Sequence, residues 1–344
     1  MNTPFIRLSA VAIAALLSQV GAAQAQSSVT LYGAIGLDVI SATHVYNGTK
    51  SGTVMKIDDN AIVNSRFGIK GVEDLGGGLK TIFDLESSIN PDTGGVRSAF
   101  WNRNAFVGLS GDFGTVKLGH QWNVADDYMC GYFVCAYYAP FLMSGFYALS
   151  DYYDNAIKYT SPNIGGFEGA AYYSAGEKAG MRSAGQKTQL AANYAAGAFA
   201  VGLVAFSEKN PTGATEGNTM YAGGASYDFG VLKARLGVAS SKVHYATPFK
   251  ATLIDAGIDV PVTAAFSTAL DYVKKDVKDS PDDTYFMRGR ANYALSKRTS
   301  LNFNLIYLKN KGNANFAFIT EGQGFSGEAG QKQTIVTAGI THSF

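Results

Sequence analysis

Sixteen antiparallel strands closed into an all-β transmembrane barrel is the fold class this sequence predicts, and three observations predict it. Apolar and polar residues alternate with period two in successive runs of roughly ten residues from one end to the other. The connections between those runs alternate between short and long. The composition is 40 Gly, 20 Tyr and 21 Phe against 8 Pro and 2 Trp, with 16% charged residues. Soluble domains carry roughly 25% charge, so this chain suits a β-structure with one apolar face that meets something other than water.

The chain opens on "MNTPFIRLSAVAIAALLSQVGAAQAQ". Arg7 lies in a short leading region, an apolar core follows from about Leu8 to Leu17, and Ala23-Gln24-Ala25 is a small-residue cleavage signal. Residues 1–25 therefore read as a secretory signal peptide and residues 26–344 as one barrel domain. An N-terminal membrane anchor would need about 20 apolar residues, more than this run supplies. No later stretch reads as a transmembrane helix. The formal charge of +1 gives no support to a polyanionic partner, and none to nucleic acid.

The strands follow in order. "SVTLYGAIGLDV" sets Leu31, Gly33, Ile35 and Leu37 against Tyr32, Ala34 and Asp38. In "NSRFGIKG", Phe67 and Ile69 oppose Arg66 and Lys70; in "LKTIFDLES", Leu79, Phe83 and Leu85 oppose Lys80, Asp84 and Glu86. Late in the chain, Leu232, Ala234 and Leu236 oppose Lys233 and Arg235. Tyr285, Met287, Tyr293 and Leu295 oppose Arg288, Arg290 and Asn292, and Leu301, Phe303, Leu305 and Tyr307 oppose Asn302 and Asn304. A mid-strand Arg facing lipid costs roughly 2–4 kcal/mol. Arg235, Arg288 and Arg290 are accordingly expected to face water inside. The closing "QTIVTAGITHSF" alternates to its last residue, as a final strand pairing with the first would.

Short connections read at 75–78, 111–114, 162–166, 196–198, 228–230, 261–263 and 296–298, rich in Gly, Pro, Asn and Asp that supply turn geometry. Long ones read near 41–61, 87–101, 120–154, 175–187, 207–218, 240–250, 273–284 and 309–332. Short turns at one end and long loops at the other are the barrel signature, and closure pairs every backbone polar group in lipid. Tyr159, Tyr173, Tyr194, Tyr227, Tyr272 and Tyr293 sit near strand ends on the lipid parity, where interfacial girdles form.

Enzymatic chemistry finds little footing. The four histidines are His44, His120, His244 and His342, none placed at mid-strand as a wall-mounted Ser-His-carboxylate site requires. "GGGLK" reads as a hairpin turn because no helix follows it. Cys130 and Cys135 are the only cysteines. Export favours a disulfide between them, with free thiols the alternative. Without a nearby histidine they fall short of a metal site, and no cofactor is implied.

"SSVTLYGAIGLD", "SRFGIKGVEDLGGGLK", "RNAFVGLSGDFGTVKLGHQ", "DNAIKYTSPNIGGFEGAAYY" and the terminal "HSF" together resemble the general porins of β-proteobacterial outer membranes. The resemblance implies a homotrimer in outer-membrane lipid that passes small hydrophilic solutes and ions by diffusion, with the third long loop folded into the lumen. It also implies a constriction whose wall carries Arg66, Arg103 and Lys158. Asp126, Asp127, Asp151 and Asp154 are the candidate acidic partners on or beside the loop, and Lys70, Lys80, Lys117, Arg235, Arg288 and Arg290 are candidate pore-lining residues. Family members commonly carry Arg where Lys158 and His120 stand. A basic narrowing with low-dielectric surroundings favours small anions, so a weak anion preference is expected; solvated charges without a selectivity role are the alternative.

The third loop departs from the family in being rich in Tyr and Phe between Tyr128 and Tyr153. Either it makes a narrower eyelet that prefers aromatic or partly apolar solutes, or its rings pack the loop against the wall. A barrel acting mainly as adhesin or receptor through its long loops is a further reading, separated from a channel by conductance in a planar bilayer.

Overall fold

The computed structural model describes residues 27–96, 98–134, 152–213, 217–244, 248–317 and 325–344. The expected signal peptide, Asp151 and Cys135 lie outside the described residues. Sixteen strands run antiparallel around one closed sheet. β1 is Ser28–Tyr46, and β2 comes in two pieces, Ser51–Asp59 and Arg66–Gly76. Then follow β3 Leu79–Asn90, β4 Asn104–Gly111, β5 Gly114–Trp122, β6 Tyr152–Thr160, β7 Phe167–Ser174 and β8 Lys187–Ala196. β9 Phe199–Glu208, β10 Asn218–Asp228, β11 Lys233–Val243 and β12 Phe249–Pro261 continue the wall. β13 Phe266–Val277, β14 Thr284–Ala294, β15 Thr299–Asn310 and β16 Lys332–Ser343 complete it.

Parity assigns the two faces. Leu190, Leu203, Leu236, Leu270 and Phe303 are exposed on the outer face, and the six interfacial tyrosines are exposed on the same parity. Their sequence neighbours Gln189, Val204, Asp271, Asn302 and Asn304 are buried on the inner one. The alternation read from the sequence thus becomes a lipid face and a lumen face.

Closure is made by β1 and β16, in register from Ala34↔Ser343 to Ala42↔Ile335. Phe344 extends the seam: its N–H donates to the Gly33 carbonyl at 3.0 Å, and the Gly33 N–H donates to the Phe344 carbonyl at 3.2 Å. The Phe344 ring lies over Gly33 so closely that an added Cβ would sit 2.5 Å from ring atom Cζ. Gly33→Val is therefore expected to displace Phe344, at a cost of about 1–3 kcal/mol as in other overpacked sites. Lower heat resistance of the folded form on a denaturing gel would register it; wild-type resistance would count against the seam.

Several connections are shorter than expected. The stretch 41–61 is not a long loop, because β1 continues to Tyr46 and the chain returns at Ser51. The reversal is an Asn-Gly turn: the Asn47 Oδ1 accepts from the Thr49 and Lys50 N–H groups at 3.1 and 2.9 Å, and Gly48 takes φ +93°. Likewise, β11 and β12 extend well into the stretch 240–250 that reads as a loop.

The other difference is the break in β2 at 60–65, where side chains replace ladder bonds. Asp38 accepts from the Asn60 amide and, at 2.9 Å, from the Ala61 N–H. Asn60 Oδ1 accepts from Ile62 and Val63 N–H at 2.8 and 3.0 Å. The Ser65 hydroxyl accepts from the Gly36 N–H and donates to the Gly36 carbonyl. Buried backbone groups stay paired through the interruption, and the strand resumes at Arg66.

Candidate pore constriction

Residues 123–134 of the third long loop lie against inward-facing positions of the wall. Asn123 starts the helix α1 (Val124–Met129): its Oδ1 accepts from the Asp126 N–H at 2.9 Å, the usual way to satisfy a free helical donor. The next two donors, Val124 and Ala125 N–H, both reach Gln189 Oε1 on β8 at 2.9 Å. Tyr128 donates to Glu168 on β7 at 2.7 Å; burial, then this carboxylate, push its hydroxyl above the usual phenol range, so it stays the donor.

A single row of Cα partners forms the seat: Asn193, Gly202, Gly224, Gly237 and Asp255, one from each of β8 to β12. The three glycines leave a groove. Tyr132 lies over Gly202 and Gly224, Phe133 over Gly237, and a Cβ at any of the three would clash with those side chains. The ends of the row hold the loop by polar bonds, with the Tyr132 hydroxyl on Asn193 and the Val134 N–H on Asp255 Oδ2 at 2.7 Å. Tyr128, Tyr132 and Phe133 are buried, so these rings pack the loop to the wall. Cys130, also in this segment, is disulfide-bonded.

The basic wall residues meet carboxylates from the wall and the loop. Arg66 Nε is 3.3 Å and Arg103 Nε 2.5 Å from opposite oxygens of Glu86, so two guanidinium groups share one carboxylate. Trp122 and Tyr152 rings lie 5.9 and 5.5 Å from the Arg103 guanidinium, within cation–π range. Lys158 is buried, with Nζ 2.7 Å from Asp127 Oδ2 and 2.9 Å from the Trp122 carbonyl. Lys117 is its direct Cα partner on β5, its ammonium 4.6 Å from the Phe106 ring centroid.

Of the expected acidic residues that the structure describes, Asp127 is placed on a wall cation. Asp126 is buried and bonded to Asn123, where it serves the helix cap. Asp154 pairs with His120 Nδ1 at 2.6 Å. Lys70 lies 4.7 Å from the Tyr32 ring centroid, and Tyr32 donates to Asp84 at 2.7 Å. Lys80 is exposed near the short-turn end, opposite Asp74 and Ser110.

The far wall differs from the water-facing arginines expected. Arg235, Gly257, Asp271 and Arg288 form a row of Cα partners across β11 to β14. Arg235 and Arg288 both bind Asp271, Arg288 through Nε at 2.9 Å and Nη2 at 2.5 Å. Asp259 takes Arg235 Nε at 2.8 Å and Arg290 Nη2 at 3.0 Å. Arg288 is 4% exposed, so ion pairing rather than water is what makes its inward placement tolerable. Glu86, Asp255, Asp259 and Asp271 are functional candidates that were missed. Each lies on the inward parity of its own strand, which is the signal that could have found them.

The match to known proteins is now direct. A family model described as Gram-negative porin covers residues 9–313. The chain belongs to that family. The porin is 32% identical to outer membrane porin protein 32 of Delftia acidovorans, over 96% of this chain and 98% of that protein. Identity to an outer membrane porin protein of Bordetella pertussis is 28%, over 97% of this chain and 98% of that protein. Among solved structures, an anion-selective porin from Comamonas acidovorans superposes with TM-score 0.82 at 29% identity, covering 93% of this chain and all of that one. The porin is thus an outer-membrane β-barrel channel of the passive kind, not an enzyme.

Proposed function

We propose that this porin is a general diffusion channel for small hydrophilic solutes that prefers anions weakly, narrowed where residues 123–134 face Arg66, Arg103 and Lys158. It would act as a homotrimer, in keeping with its family. The carrying observation is charge balance at one level of the wall. Arg66 and Arg103 share Glu86, while Lys158 contacts Asp127 and has Lys117 directly opposite. Four cations thus gather on this part of the wall, Glu86 and Asp127 among their carboxylate partners, and a mobile anion would meet them. The anion-selective relative of similar fold supports the same sign.

The alternative eyelet for partly apolar solutes draws less support, because the described loop rings are occupied with the wall. One unit charge acting on an ion about 6 Å away in water is worth roughly 0.7 kcal/mol, or about threefold in relative permeability. The double variant Arg66→Ala, Arg103→Ala is expected to lower the anion-to-cation permeability ratio by about three- to tenfold in planar bilayers under a salt gradient. An unchanged reversal potential would reject the charge filter, and an absence of stepwise conductance in the wild type would reject the channel.

A further inference from the structure

The underside of the third loop roofs a cavity of about 170 Å³ on the lumen wall. Its wall side takes one residue from each of five consecutive strands: Glu168 on β7, Asn193 on β8, Ala200 on β9, Ser226 on β10 and Lys233 on β11. Ala200 and Ser226 stand two residues beyond Gly202 and Gly224 toward the short turns, so the cavity lies on the short-turn side of the loop. Tyr128, Gly131 and Tyr132 form the roof. A carboxylate thus stands at one end and an ammonium group at the other, with small residues under tyrosine rings between them.

The charges left for a guest are equal and opposite. Asp127, which also borders the cavity, is paired with Lys158. Glu168 Oε1 accepts from the Tyr128 hydroxyl, a bond that leaves the negative charge in place. Lys233 has Asp228 and Asp259 as Cα partners, yet it makes no ion pair among the described residues, because Asp259 is held by Arg235 and Arg290. Ser226 is 4% exposed, and its hydroxyl has no hydrogen bond among the described residues. The Lys233 end therefore offers an ammonium and a hydroxyl to an anionic group, and the Glu168 end offers a carboxylate to a cationic one.

We propose that this cavity binds a small elongated zwitterion, with an ammonium and a carboxylate at opposite ends of a short unbranched chain. The ammonium lies against Glu168, the carboxylate against Lys233 and Ser226, and the methylenes run over Ala200 beneath Tyr132. Charge and shape select this guest. An anion would meet the Glu168 carboxylate, and a cation would meet the Lys233 ammonium. An α-amino acid carries both charges on one carbon, too close together for ends that stand four strands apart. With no net charge, the elongated zwitterion is indifferent to a filter for anions and is held by complementarity instead. The site rests on the reading of residues 123–134 as the narrowing of a diffusion channel, and it adds a solute class to that reading.

The test is a ligand-observed NMR titration of the folded porin in micelles, with 5-aminopentanoate as probe. Saturable binding is expected, with pentanoate, pentylammonium and glycine each about tenfold weaker or more, as for the loss of one charge-assisted hydrogen bond. E168Q, whose amide oxygen still accepts from Tyr128, and K233Q are expected to weaken the probe by the same factor. So is Gly131→Leu, whose added Cβ enters open space and crowds the cavity without touching a charge. Any control solute held as tightly as the probe would overturn the proposal, as would wild-type affinity in any of the three variants. The control solutes are compared on the wild type, so they decide even where a variant does not fold. No saturable binding to a porin that conducts in a bilayer would overturn the proposal and leave the channel reading intact.

Discussion

Asp271→Ala is expected to destabilise the barrel by about 3–5 kcal/mol, the usual consequence of removing one partner from a buried ion pair. Asp271 is the shared acceptor of Arg235 and Arg288, and without it two guanidinium groups face each other inside the wall. Gly257 sharpens the dependence. A Cβ there would sit 2.6 Å from Arg235 Nη2 and 2.7 Å from Asp271 Oδ1, so the row has no space for a substitute ligand. Unfolding by urea in detergent micelles, followed by the β-sheet circular dichroism signal, measures the loss. A variant as stable as wild type would mean that water or Asp259 carries these cations instead.

Gly224→Val is expected to release the third loop from its seat and to raise single-channel conductance. The new Cβ would lie 2.9 Å from Tyr132 Cγ and collide with Tyr132 Cβ, which no rotation about the Tyr132 side chain moves. Overpacking of this kind costs about 1–3 kcal/mol, and here it falls at the centre of the row that seats the segment. Gly223→Ala is the control. Its Cβ faces lipid and meets Leu203 Cδ2, the movable end of a flexible side chain, so conductance should stay at the wild-type value. Folded Gly224→Val channels with unaltered conductance would show that residues 123–134 do not narrow the pore.

Much of the wall was legible because strand parity is a local property. Leu31, Arg66, Lys158 and Phe303 each fall on the face their sequence neighbours imply, with no need to know which strands touch. The seat of the third loop was not legible. Gly202, Gly224 and Gly237 look like scattered glycines until the register of β9, β10 and β11 brings them into one row. Asp126 and Asp127 are adjacent in sequence, yet α1 turns one toward its own cap and the other toward Lys158. The far-wall arginines were placed inside correctly, but their partners come from two other strands, and only pairing across the sheet reveals Asp259 and Asp271. The turn at Asn47-Gly48 was readable in principle; the polar residues around it masked the continuing strands.

The seam between β1 and β16 has a bearing on biogenesis. One edge of β1 finds its partner a hairpin away, whereas the other waits for residues about three hundred positions later. Bringing such distant segments together carries a loop-closure entropy of roughly 5 kcal/mol, and nothing at that edge offsets it until the last strand arrives. Until then the first strand is an open template for any other chain. The polypeptide must therefore be held apart from its neighbours through export, and closure, with Phe344 laid over Gly33, is the event that ends its exposure to misassembly.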